Sequence, residues 1–193
     1  SDLSEAINVS EDTIRRDLAE LAETGKIIKA HGGALSKSFH TSFQINGVYS
    51  HDKKKCIARK AVNLIHDGMF ILSGGGTTIT ELAKALPDQL QATFFTGSLP
   101  AAIEYIQHPT AEVIFIGDRI SKNSRITIGG DAIQKIAQIN ADICFLGINA
   151  LDPELGLTDN DWEVVQIKKA MIRASRKVVA LTISEKLNTQ QKI

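Results

Sequence analysis

The chain has 193 residues, 43% hydrophobic and 23% charged, with 22 basic and 22 acidic side chains and a formal net charge of zero. That is enough apolar side chain for a core without disulfides or metals. The charge balance excludes a globally basic nucleic-acid binder, so any DNA contact must come from local arrangement. No apolar run approaches the roughly 20 residues of a membrane span, and Ser1-Asp2-Leu3-Ser4-Glu5 lacks the basic and apolar regions of a signal peptide. The two distant cysteines, Cys56 and Cys144, have no ligand spacing and suit a reducing cytoplasm. A cytoplasmic protein with no membrane partner, metal or cofactor is the expectation.

Asp2–Ile7 reads as a short helix and Asn8-Val9-Ser10 as a turn, with Ser10 a good N-cap for a second helix from Glu11. On that helix Ile14, Leu18 and Leu21 share one face, while Thr13, Arg15, Arg16 and Asp17 lie elsewhere. Two helices joined by a tight turn, the second carrying hydroxyl and guanidinium groups near its start, form a helix-turn-helix layout. Its second helix enters the major groove, where Arg bonds guanine or phosphate and Ser or Thr bonds either. Residues 25–33 read as a hairpin that brings Lys29 and His31 toward phosphate. On composition alone Arg15 and Arg16 equally suit a solvated face beside Glu11, Asp12 and Glu20, and residues 1–40 carry five basic side chains against seven acidic ones. Residues 1–35 are therefore assigned to a DNA-binding module and the polar stretch 36–52 to a linker.

From Lys53 onward helices alternate with short apolar strands. Ile57, Ala58, Ala61, Val62 and Ile65 mark one buried face of a helix over 54–66, stopped by Asp67-Gly68. Met69–Leu72 is a strand buried on both faces. Gly74-Gly75-Gly76 turns the chain into a helix over 77–86, stopped by Pro87. Strands over 93–96, 113–117, 143–148 and 177–182 alternate with helices over 100–107, 131–139 and 162–175, and a short strand over 125–128 lies at an edge. This alternation indicates right-handed βαβ units and an α/β fold, a mostly parallel open sheet flanked by helices, over 53–193.

Ligands of such sheets bind at strand C-terminal ends. There Gly75 and Gly76 let backbone N–H groups approach an anion at a helix N-terminus, and Thr77 and Thr78 add hydroxyls. Thr96, Gly97 and Ser98 follow the next strand and Gly147 a later one, with Lys168 and Lys186 as candidate cations. The turn equally suits a purely structural role, and its spacing matches neither a P-loop nor a dinucleotide fingerprint.

Val9-Ser10-Glu11-Asp12-Thr13-Ile14-Arg15-Arg16-Asp17-Leu18, then Gly25-Lys26 and His31-Gly32-Gly33-Ala34, resemble the DNA-reading signature of the DeoR family of sugar-responsive repressors. Lys54 with Ile57-Ala58, Gly76-Thr77-Thr78, Thr96-Gly97-Ser98, Ala141-Asp142 with Phe145-Leu146-Gly147, Gly156-Leu157-Thr158, Glu163 with Lys168, and Ser184-Glu185-Lys186 resemble the family's effector domain. The resemblance implies a fold similar to ribose-5-phosphate isomerase and glucosamine-6-phosphate deaminase, preceded by a partial winged helix-turn-helix that lacks the family's opening helix. It also implies operator DNA and a phosphorylated sugar or polyol as partners, with a homo-oligomer, dimer or tetramer, to match a symmetric operator. Four positions depart from the family pattern. Gly74 stands for an acid, Gly97 for an Asn, Asn46 for an Arg and Lys53 for a Glu, which thins the groups available to sugar hydroxyls. The alternative is a sugar-phosphate isomerase or deaminase-like enzyme with Asp152 or Asp159 as base. No carboxylate stands at the Gly74–Thr78 rim, so no catalytic residue is assigned and a carbohydrate-operon repressor is the expectation.

Overall fold

The computed structural model describes residues 2–24, 27–30, 33–36 and 50–193. They belong to two compact units, one within residues 1–40 and the other within 41–193.

The first unit contains helices α1 (Asp2–Ile7) and α2 (Glu11–Glu23) and strands β1 (Ile27–Ala30) and β2 (Gly33–Ser36). Asn8 takes a left-handed φ of 52° in the turn between the helices, a conformation asparagine tolerates better than most residues. Ser4 clamps that turn: its hydroxyl donates to the Val9 carbonyl at 2.7 Å, and the Val9 N–H donates to the Ser4 carbonyl at 3.2 Å. Ser10 caps α2, its Oγ accepting the Thr13 N–H at 3.2 Å. Ile14 buries the inward face of α2. β1 and β2 pair antiparallel from Ile27↔Ser36 to Ala30↔Gly33, so the hairpin runs one residue past the assigned module end.

The second unit opens with α3 (His51–Val62), which starts inside the stretch assigned to the linker. It also ends four residues earlier than its apolar spacing suggests. Leu64 and Ile65 donate to Ala61 and Val62 in tighter i→i+3 turns, which still bury Ile65. Next come β3 (Phe70–Ser73), α4 (Thr77–Lys84), β4 (Thr93–Thr96), α5 (Leu99–Tyr105), β5 (Glu112–Phe115), β6 (Arg119–Ile120) and β7 (Thr127–Ile128). α6 (Gly130–Ala137), β8 (Ala141–Gly147), β9 (Ala150–Asp152), β10 (Gly156–Thr158), α7 (Trp162–Arg173), β11 (Ser175–Leu181) and a 3₁₀ turn (Ser184–Lys186) complete it.

Five strands form one sheet in the order β11-β8-β3-β4-β5, every neighbouring pair parallel. Alternate residues serve opposite faces: Ile71, Phe94, Ile143 and Phe145 pack with α3, α4 and α5, while Leu72, Cys144 and Leu146 pack with α6 and α7. This is why these strands read as continuous apolar runs. Cys144 is fully buried and burial pushes its thiol up to about 12, which makes it an inert core residue. The strand expected over 125–128 is shorter and pairs with β6 in a separate antiparallel ribbon instead of edging the sheet. The β9–β10 hairpin is an addition that the apolar pattern did not suggest. No helix of the described residues is long and apolar enough to cross a membrane.

Candidate functional site

From β3 the chain steps outward through β4 to β5, then returns to β8 and β11 on the other side. The direction therefore reverses between β3 and β8, and ligands of open α/β sheets bind beyond the strand ends at such a point. Here the two loops meet backbone to backbone. A side chain at Gly147 would stand 2.0 Å from the Gly75 carbonyl oxygen, so only glycine fits there. Gly75 is likewise boxed in, by Ile126 and the Ser98 hydroxyl. Gly76 caps α4 with φ at 107°, a value suited to glycine, and offers no side chain to the first-turn N–H groups.

The expected anion groups divide into an outer and an inner set. Gly76, Thr77 and Gly147 are partly exposed. Thr78 is 7% exposed, and Thr96 and Ser98 are more deeply buried. The Thr96 hydroxyl accepts the Ser98 N–H at 3.1 Å, and the Ser98 hydroxyl caps α5 by accepting the Ala101 N–H at 3.4 Å. Gly97 lies against Thr127, whose N–H donates to the Gly97 carbonyl at 2.7 Å. Thr96, Gly97, Ser98 and Thr127 thus set the shape of the β4–α5 loop, whereas Gly76 and Thr77 are the more accessible residues of the β3–α4 turn.

Cations gather on the β8–β11 side. The Lys168 ammonium donates to Asp159 Oδ2 at 2.6 Å, and the Lys186 ammonium donates to the Ile148 carbonyl at 2.6 Å. Burial, together with the nearby charges of Lys54 and Lys168, pulls Lys186 down to about 8 against the opposing pull of Asp159. Lys54 is 6% exposed. Burial lowers its pKa too, while Glu185 and Glu81 push it back up. Lysines are rarely buried unless paired, and here Lys168 is paired with Asp159, Lys54 lies near Glu185 and Glu81, and Lys186 is held by a carbonyl.

The carboxylates nearby are committed. Burial works against ionisation of Asp159, but Lys168 and hydrogen bonds from Asn160 and Asn149 hold it below the ordinary carboxylate range. Asp152 accepts from the Glu154 and Leu155 N–H groups and from Gln190, which also lowers its pKa. Both candidate bases for an enzyme are held ionised by hydrogen-bond donors, which weakens each as a base. Among the described residues no group of three His, Cys, Asp or Glu is placed to hold a metal ion. A shallow depression lined by Gln91, Thr93, Thr110 and Glu112 lies at the opposite, N-terminal end of β4 and β5.

In the first unit Ser10 and Thr13 are tied to each other, Oγ to Oγ1 at 2.9 Å. Arg15 reaches Glu11 at 3.8 Å and Asp12 at 3.7 Å. Arg16 is exposed, with no ion pair to another described residue. Lys29 lies in β1 opposite Ala34; its side chain and His31 fall outside the described residues. Lys54, Glu81 and Glu185 are nearby charged residues that local pattern did not single out as ligand-side groups.

A family model described as the DeoR C terminal sensor domain matches residues 49–193, and one described as the DeoR-like helix-turn-helix domain matches residues 1–39. The HTH-type transcriptional regulator GolR of Listeria innocua is 33% identical over 183 residues, covering 93% of this chain and 72% of that protein. The glycerol-3-phosphate regulon repressor of Haemophilus influenzae is 32% identical over 191 residues, covering 98% of this chain and 74% of that protein. Among solved structures, ribose 5-phosphate isomerase A from Neisseria gonorrhoeae superposes with a TM-score of 0.53 at 16% identity. That match covers 77% of this chain and 56% of the isomerase, and it speaks to fold alone.

Proposed function

The chain belongs to the DeoR family of helix-turn-helix transcriptional regulators, and from that premise we propose that it represses a carbohydrate-utilisation operon and is released from its operator by a phosphorylated sugar or polyol. The single observation that carries the effector half of this reading is electrostatic. Lys54 and Lys168 are near enough to Lys186 to depress its pKa. Lys186 bonds the Ile148 carbonyl next to Gly147, and Gly147 abuts Gly75 just before the uncapped start of α4. A dianionic phosphate at Gly76-Thr77-Thr78 takes the free first-turn N–H groups and the helix dipole, and relieves the mutual repulsion of the lysines. Thr78, Thr96, Gly97 and Ser98 hold the cradle in shape. The committed state of Asp152 and Asp159 argues against the isomerase-like alternative, as does family membership.

The DNA half rests on α2. Arg16 and Thr13 stand near its start, where a recognition helix meets base edges, and Ser10 fixes its entry. A symmetric operator calls for two readers, so the working form in this reading is a cytoplasmic homo-oligomer. One relative's name, the glycerol-3-phosphate regulon repressor, speaks of a polyol phosphate, and this supports the effector class proposed. The test is a melting screen of the chain against sugars, polyols and their phosphates. Only phosphorylated compounds are expected to raise the midpoint. A panel in which no phosphate shifts it, or in which free sugars do so equally, removes the effector reading.

A further inference from the structure

A short ribbon closes one side of the Gly-rich turn. β6 and β7 pair from Arg119↔Ile128 to Ile120↔Thr127, and the residues between them are fastened on two sides. Toward α7, Arg119 forms an ion pair with Glu163, and the Ser121 hydroxyl donates at 3.2 Å to Oδ2 of Asp161, the N-cap residue of that helix. Toward the β4–α5 loop, the Leu99 N–H donates to the Arg125 carbonyl at 3.1 Å. The Thr127 N–H and hydroxyl both donate to the Gly97 carbonyl, at 2.7 and 3.0 Å. Arg125 takes a left-handed φ of 55°, which costs a residue with a side chain free energy and persists only where the surroundings fix it.

That fixed turn delivers Ile126 to the face of the Gly-rich loop. Ile126 is 9% exposed and bridges Ser98 in antiparallel fashion. A Cβ at Gly75 would stand 2.8 Å from Ile126 Cδ1 and 2.9 Å from its Cγ1, with Ser98 Oγ next at 3.2 Å. The space beside Gly75 is therefore filled by hydrocarbon. The hydroxyls around it already have protein partners. Ser73 shares a 2.8 Å bond with Tyr105, Ser98 accepts the Ala101 N–H, and Thr127 donates to the Gly97 carbonyl. A ligand hydroxyl pressed against this side would lose its water and gain no new partner, which is costly. Gly76 and Thr77, by contrast, are partly exposed.

We propose that Ile126 limits the size of the effector: with the phosphate at Gly76-Thr77, the ligand that fits beside the ribbon is a short polyol phosphate of glycerol size, and a hexose phosphate is penalised. The proposal rests on the effector-site reading above, adds a specificity-determining residue to it and narrows its ligand class. Discrimination comes from clash with the Ile126 side chain and from hydroxyls left unpaired, and both act against the larger, more hydroxylated ligand. A ribbon bonded to α7 on one side and to the β4–α5 loop on the other does not swing aside, so the penalty is kept. It acts as a wall, not a flap.

The test titrates inorganic phosphate, glycerol 3-phosphate and glucose 6-phosphate into the 193-residue chain by calorimetry. Glycerol 3-phosphate is expected to bind a few-fold more tightly than glucose 6-phosphate. Ile126→Ala is expected to narrow or invert that ratio by gaining affinity for the larger ligand, with inorganic phosphate little changed. A core residue with no filtering role would weaken all three alike and leave the ratio as it was. If Ile126→Ala does not fold, Ile126→Val, which keeps the branched Cβ and removes the methyl nearest Gly75, is expected to move the ratio the same way by less. Glucose 6-phosphate binding as tightly as glycerol 3-phosphate to the unsubstituted chain, or a ratio unmoved by the substitution, overturns the proposal and leaves the effector site standing. No binding of any probe to the unsubstituted chain overturns the effector site itself, and the proposal with it.

Discussion

Lys186 shows how one residue ties folding to ligand binding. Its ammonium is held by the Ile148 carbonyl and repelled by Lys54 and Lys168, with a pKa near 8. In the unfolded chain a lysine titrates near about 10.4. Between those values the unfolded state binds more protons, so stability rises with pH there; below about 8 both states are protonated and the full cost of the charged, buried group is present. An anion beside Lys186 acts the other way, raising its pKa and favouring the charged form. Phosphate binding is therefore expected to take up a proton above pH 8, and affinity to fall as pH rises from about 7.5 to 9.5. Calorimetry across that interval checks this, with Lys186→Met as control. The variant is expected to bind more weakly and to lose the slope; an equal slope in both proteins removes Lys186 from the site.

Glycines at the rim act by geometry instead of charge. Gly147 is needed because the Gly75 carbonyl occupies the space of its Cβ, whereas Gly117 has nothing within 4 Å of that position. A sequence shows both simply as Gly. The contact that makes one of them indispensable joins loops that follow β3 and β8, about seventy residues apart in the chain, and only the topology brings them together.

Elements with a strong local signal were legible from sequence. The Ser10 cap, the apolar runs of β3 and β8 and the helix between Gly76 and Pro87 stand within two residues of where period and capping rules put them, whereas the helix read over 54–66 lies at His51–Val62. Two-residue and three-residue strands such as β6 and β9 are too short to show a period, so the ribbon partner of β7 and the second hairpin carry no sequence signal. Lys54 carries no local signal of burial, since it stands in a run of three lysines, Lys53-Lys54-Lys55. Its burial is decided by how α3 packs on α4, which no local pattern contains. For the same reason Thr96 and Ser98 were legible as polar loop residues, but not as the buried supports of that loop.

At the same scale α2 separates two adjacent arginines. Arg15 is drawn along its own helix by Glu11 and Asp12, at distances typical of weak surface pairs. Arg16 makes no such pair with a described residue and is exposed. Arg16→Ala is expected to weaken binding to a selected operator by about 1–3 kcal/mol, the range for a base-reading arginine, and Arg15→Ala by less. Electrophoretic shifts with the two variants decide it. Equal losses would reduce both residues to general phosphate contacts, and no loss from Arg16→Ala would take it off the reading surface.

At the scale of the whole molecule, a fold shared with sugar-phosphate enzymes carries a site without a free base, on a chain that also holds a DNA-reading unit. In the proposed reading, the sheet reversal that serves chemistry in those enzymes serves anion binding beside Lys186, whose protonation responds to a nearby charge. Regulation in this account is a population shift: an arrangement competent for operator binding in the empty protein, and a second favoured by an occupied phosphate cradle. In this account Gly74 and Gly97, which stand where the resemblance implies an acid and an Asn, leave fewer polar groups for a sugar, and the Cβ positions there face the Phe145 carbonyl and Thr127. Selectivity is thus expected to lie in the phosphate more than in the sugar.

Paired calorimetry tests that central claim most directly, with each sugar or polyol titrated alone and as its phosphate into the same protein. Hydrogen bonds to a charged group contribute roughly 1.5–3 kcal/mol each, so each phosphate is expected to bind at least about tenfold more tightly than its parent, while differences among the sugars stay smaller. A free sugar that binds as tightly as its phosphate would contradict the account and leave the Gly74–Thr78 loop as a structural turn.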